Sequence, residues 1–90
     1  VRAFLVENDA TATILNGIEE RIAAAEHRYG EFASTHEAMG VACEEWDEFR
    51  DAVRSNDLAA VEHECMDLAA VLIRLARNLH GSKTIKRSTK

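Results

Sequence analysis

The sequence predicts an all-α fold: a helical hairpin preceded by an N-terminal helix. Three observations carry that prediction. The 90 residues contain no proline and four glycines, so little interrupts a long helix. Apolar residues recur at steps of three and four, the period of one helical face. Turn and capping residues gather around residues 29–37 and 55–57, which divides the chain into three helical stretches.

The first helix is expected from Asp9, a suitable N-cap, to about Arg28, with Leu15, Ile18, Ile22 and Ala25 on one face. Tyr29-Gly30 ends it, because glycine accepts the left-handed C-cap conformation. Ser34 and Glu37 form the S-x-x-E capping box that opens the second helix. That helix carries Met39, Ala42, Trp46, Phe49 and Val53 as its apolar stripe, and Trp46 reads as a core residue. Ser55-Asn56-Asp57 leaves room only for a tight turn. The third helix carries Leu58, Val61, Cys65, Leu68, Leu72, Leu75 and Leu79, and Gly81 stops it. A seam of seven positions is longer than one short helix pair covers. Assembly as a four-helix-bundle homodimer or homotetramer is therefore expected.

The length fits a single helical domain over 1–82 with a basic tail over 83–90, where Lys83, Lys86, Arg87 and Lys90 crowd together. A domain of this size buries only about two-thirds of its unfolded surface, so a lone monomer is marginal. Net charge is −5, and without the tail it is −9, from 7 basic against 16 acidic residues. That balance argues against a nucleic-acid polymer as partner. The tail reads as a solubilising end, with contact to a phosphate as the alternative. Cys43 and Cys65 lack metal-binding spacing and read as small buried thiols of a reducing, cytoplasmic compartment. No apolar run reaches the roughly 18 residues of a membrane span, and Val1-Arg2-Ala3-Phe4-Leu5-Val6 is too short for the core of a secretory signal.

Four acidic residues carry the chemistry. Glu45 and Glu48 form one i,i+3 pair, and Glu64 and Asp67 form another, so each pair lies on one helical face. Glu48 and Glu64 lie eight residues either side of Asn56, and Glu45 and Asp67 eleven. A hairpin turning at Asn56 brings the pairs to matching heights, about 12 and 16 Å from the turn. Each pair sits one position before the apolar stripe, at the edge of the seam. Two carboxylates about 5 Å apart repel by roughly 3 kcal/mol at an effective dielectric of about 20. Their pKa values must rise or a cation must neutralise them. An all-carboxylate set suits Mg2+, or Mn2+, rather than zinc. A solvated acidic face is the competing reading, and ordinary coiled-coil edge charges occupy similar positions.

Glu44-Glu45-Trp46-Asp47-Glu48, then fifteen residues, then Glu64-Cys65-Met66-Asp67 spells EExxE…ExxD. This resembles the signature of the MazG-like all-alpha nucleoside triphosphate pyrophosphohydrolases, short phage and bacterial members included. Tyr29-Gly30, Phe32 and Ser34-Thr35-His36-Glu37 before the motif look similar as well, as does 68–76 after it. The likeness covers about 29–80. It implies Mg2+-dependent hydrolysis of a ribo- or deoxynucleoside triphosphate between its α and β phosphates, yielding a nucleoside monophosphate and pyrophosphate, as in nucleotide-pool house-cleaning. It also implies that Glu45, Glu48, Glu64 and Asp67 hold the metal and are catalytic, with Glu44 orienting a ligand from outside that set.

Further substrate-binding candidates are weaker. Arg74 lies seven residues past Asp67 and can reach a triphosphate, or else form a helix-surface salt bridge. Asn78 extends that face toward sugar or base. Tyr29, Phe32 and His36 precede the metal helix and can line a base pocket, although Phe32 reads as core and His36 as a cap or surface residue. His27, His63 and His80 read as ordinary surface or helix-end residues. A diiron bundle requires Glu-x-x-His, and none of the four histidines has a glutamate three residues earlier. The rival readings are a non-catalytic helical oligomerisation module, a nucleotide sensor, and a phosphoribosyl-ATP pyrophosphohydrolase on the same fold.

Overall fold

A computed structural model describes residues 10–81. The expected Asp9 cap and the basic tail lie outside the described residues. Three helices follow one another: α1 Ala10–Tyr29, α2 Thr35–Ser55 and α3 Leu58–Gly81. The last helix is the shared element. It packs against both α1 and α2, which touch each other little.

The turns form as their residues dictate. Gly30 takes φ +73° just past α1, a conformation that costs glycine nothing. Ser34, in extended backbone, accepts a 3.0 Å hydrogen bond from the Glu37 N–H through its Oγ. Glu37 Oε1 in return accepts from the Ala33 N–H at 2.7 Å, so the box closes one residue earlier than the usual reciprocal pair. At the hairpin, Asn56 is left-handed (φ 60°, ψ 26°) and its N–H donates to Val53 O. Asp57 Oδ1 then accepts from the Ala60 N–H at 3.1 Å and caps α3.

Two small apolar clusters lie on the two packed sides of α3. Ile18 and Ile22 meet Ala70, with Ile14, Met66 and Ala69 beside them. Phe32 and Ala38 meet Val71, with Val41, Ala42 and Leu75 beside them. Between the two runs a polar staple. Buried Arg74 donates through Nε to Glu26 Oε2 and through Nη2 to the Gly30 carbonyl, both at 2.8 Å. Its guanidinium carbon stands 3.9 Å from the centre of the Phe32 ring. Asn78, also buried, accepts from the Phe32 N–H at 3.0 Å and donates to Glu26. The charge is thus paired and hydrogen-bonded, as burial requires, and it fixes the end of α1 and the start of the following loop to α3.

The buried faces differ from those expected. On α3 the wholly buried positions are Ala70, Val71, Arg74 and Asn78, while Leu58, Leu72 and Leu79 are exposed and Val61, Leu68 and Leu75 half-buried. On α2 the buried residues are Ala38 and Ala52. Met39, Val53 and Trp46 are exposed, Trp46 to 48%, so Trp46 is not a core residue of the single chain. On α1 Leu15 is exposed and Ile14 packs in its place. Cys43 and Cys65 are both exposed thiols, not buried ones. The cause is common to these differences. Serving two neighbours, α3 turns its small and polar residues inward, where alanines let the helices approach closely. The large residues at seven-residue spacing are left outside.

Candidate metal centre

The turn at Asn56 places the Glu45–Glu48 face of α2 opposite the Glu64–Asp67 face of α3. One carboxylate oxygen from each of Glu45, Glu48 and Glu64 lies within 4.8 Å of the others. A second grouping of the same tightness joins Glu64 to Asp67 and to His63. Glu64 is common to both, so the four acids form one continuous cluster. Glu45, Glu64 and Asp67 are half-buried and Glu48 is exposed.

The two ends of the cluster are neutralised unequally. Asp67 is fully engaged: Oδ1 accepts from Arg21 Nε at 2.6 Å, and Oδ2 lies 3.2 Å from His63 Nε2. Glu45 Oε1 and Glu64 Oε1 are buried and have no hydrogen-bond partner among the described residues. A buried, unpaired carboxylate oxygen is costly. Burial, reinforced by the Glu48, Asp67 and Glu64 carboxylates, pushes the Glu45 carboxyl up to about 7. Glu64 is also raised, by burial and then by Asp67 and Glu48, with His63 acting in the opposite direction. Oxygen donors crowded to this degree, two of them orphaned, could hold a divalent cation.

Beside the cluster lies a cleft of about 590 Å³ between α1 and α2, floored by α3. Glu45 and Asp67 form its acidic wall, and Arg21, Tyr29, Glu44 and Arg74 are among its other lining residues. Its size is that of a small-molecule site. Tyr29 is exposed there, with Arg28 5.4 Å from the centre of its ring. Glu44, also exposed, belongs to neither carboxylate grouping. His36 is exposed on the first turn of α2 and does not line the cleft. Arg74 touches the cleft but has its guanidinium committed to Glu26 and Gly30, and Asn78 is committed to Phe32 and Glu26. The Arg74–Glu26 pair is largely buried and is not a helix-surface salt bridge.

Arg21 and His63 complete the cluster, and neither stood out in the sequence. His63 carried a usable signal, since it lies four residues before Asp67 and one before Glu64. Arg21 carried none, because its distance from Asp67 is 46 residues of chain and nothing local reports that α1 crosses there. No family model matches this chain, and no curated protein or solved structure matches it either.

The Glu45 carboxyl, raised from 4.5 to about 7, makes the folded state bind more protons than the unfolded state between those pH values. Stability from this group is therefore full below pH 4.5 and is lost as pH rises through 7. Glu45→Gln is expected to gain on the unsubstituted chain by about 1–2 kcal/mol between pH 4.5 and pH 7.5 in chelator. Paired urea melts at the two pH values measure this, and a pH-independent difference would contradict it.

Proposed function

We propose that this chain is a divalent-cation-dependent nucleoside triphosphate pyrophosphohydrolase, the activity that its EExxE…ExxD resemblance implies. The observation that carries the reading is the pair of buried, partnerless oxygens, Glu45 Oε1 and Glu64 Oε1, in a four-carboxylate cluster that opens onto a nucleotide-sized cleft. Glu45, Glu48, Glu64 and Asp67 hold Mg2+, which when bound neutralises phosphate charge and lowers the pKa of a water. The cleft takes the nucleotide, with exposed Tyr29 offering a ring face to its base. Glu44, which lines the cleft outside both carboxylate groupings, orients a ligand there, and a carboxylate not consumed by the metal accepts the water's proton. Water adds to the α phosphorus, the bond to the β-phosphate bridging oxygen breaks, and pyrophosphate leaves.

Pyrophosphate release from a panel of ribo- and deoxynucleoside triphosphates tests this reading. Release is expected with Mg2+ and not with chelator, and Glu48→Gln and Asp67→Asn should each reduce it about a hundredfold or more. A folded chain that turns over none of the panel contradicts the proposed activity.

The chain also self-associates on this reading, through the hairpin face that α1 leaves uncovered. Leu58, Cys65, Leu72 and Leu79 repeat every seven residues on α3, as do Met39, Trp46 and Val53 on α2, and every one of them is exposed. Counted from the turn, the two columns stand within one residue of the same heights, and a second copy would cover these exposed side chains of coiled-coil period. Light scattering after size exclusion should give a dimer or tetramer for the unsubstituted chain and a monomer for Leu72→Glu. A monomeric unsubstituted chain at high micromolar concentration contradicts self-association through this strip.

A further inference from the structure

Arg21 reaches from α1 to the carboxylate cluster, and all three of its guanidinium nitrogens are engaged. Nε donates to Asp67 Oδ1 at 2.6 Å, Nη1 donates to the Gly17 carbonyl at 3.1 Å, and Nη2 faces His63 Nδ1 at 2.9 Å. His63 closes the ring through Nε2 to Asp67 Oδ2 at 3.2 Å. Gly17 lies beside this arrangement, and a Cβ there would press on the tip of the Met66 side chain and lie 3.3 Å from Arg21 Nη1. The protein has thus furnished its own cation to one member of the cluster, while Glu45 Oε1 and Glu64 Oε1 have no partner among the described residues.

That asymmetry has a chemical consequence. A divalent cation drawn to the orphaned oxygens competes with Arg21 for Asp67, because the guanidinium occupies Oδ1 and its charge opposes a second cation nearby. The guanidinium so released stays tethered by α1 to the wall of the cleft, which it already lines. It is then a planar, permanently charged fork with no carboxylate to hold it, suited to bidentate contact with phosphate oxygens. We propose that Arg21 is a displaceable counter-ion, which holds Asp67 until a divalent cation claims that carboxylate and then binds a phosphate oxygen of the substrate in the cleft. The proposal rests on the cation-binding reading of the cluster and adds an order to binding. Cation and polyphosphate bind cooperatively, because each favours the state in which Arg21 has left Asp67. Arg21 is accordingly both a positioning residue for Asp67 and a residue that contacts substrate.

The test is calorimetric and needs no turnover. Mn2+ alone is titrated into the full chain and into Arg21→Met, whose side chain keeps the apolar stem; Arg21→Gln serves if the methionine variant does not fold. Inorganic tripolyphosphate is then titrated at saturating Mn2+. Removing the competing cation is expected to tighten Mn2+ binding at least about fivefold and to weaken tripolyphosphate binding about tenfold or more. A merely structural arginine would weaken both or neither. Mn2+ binding that is unchanged or weaker in the variant overturns the displacement, and unchanged tripolyphosphate binding overturns the phosphate contact. In either case Mn2+ binding by the unsubstituted chain leaves the metal reading standing. Absence of Mn2+ binding in every protein overturns both together.

Discussion

The turn at Asn56 forces Glu45, Glu48, Glu64 and Asp67 onto two facing helices, and the repulsion among them has to be balanced within a few ångströms. Four negative charges at that spacing cost several kcal/mol even at a generous effective dielectric. The chain meets this in two ways. Arg21 neutralises Asp67 Oδ1 directly, and His63 Nε2 lies 3.2 Å from Oδ2. Glu45 and Glu64 are instead held toward the protonated form by burial and by their neighbours. A proton is a poor permanent answer near neutrality, and the same oxygens could instead chelate a divalent ion.

The rest of the architecture follows from where that cluster sits. Asp67, Arg74 and Asn78 lie along one side of α3, at steps of seven and four residues, and each is met by a residue of α1. The first helix is therefore fastened by polar contacts as much as by Ile18 and Ile22. Glu26 takes part in one fastening and Arg21 in the other, less than two turns apart. An internal cation and a cleft wall are thereby carried on the same rigid element, which gives α1 a role in the site that its ordinary apolar stripe does not announce.

Much of this was readable from the residues alone. The three helices, the left-handed Gly30, the tight turn at Asn56 and the Ser34–Glu37 cap follow from local backbone chemistry, which needs no knowledge of the partner helices. The convergence of Glu45, Glu48 and Glu64 followed from spacing about a turn. The inward faces were less accessible. Periodicity finds the strongest apolar stripe, and on α2 and α3 that stripe includes Trp46, Leu72 and Leu79, which face out of the single chain. The packed faces hold Ala38, Ala52, Ala70 and Arg74, whose burial depends on close approach and on ion pairing that hydropathy does not register. Arg21 and Glu26 were hidden for a related reason: a charge on an amphipathic helix looks the same whether it meets solvent or a carboxylate across a groove.

The central claim is that a divalent cation replaces protons in the Glu45–Glu64 cluster, and proton counting during metal binding addresses it most directly. Mg2+ titrated at pH 6.5 in two buffers of different ionisation enthalpy gives the number of protons released per cation. The account predicts saturable binding with a clear release, on the order of half a proton or more per cation, because Glu45, with its pKa near 7, is largely protonated before the metal arrives. The release should shrink in Glu45→Gln. Saturable binding with no proton release, or no binding at all, would contradict the account.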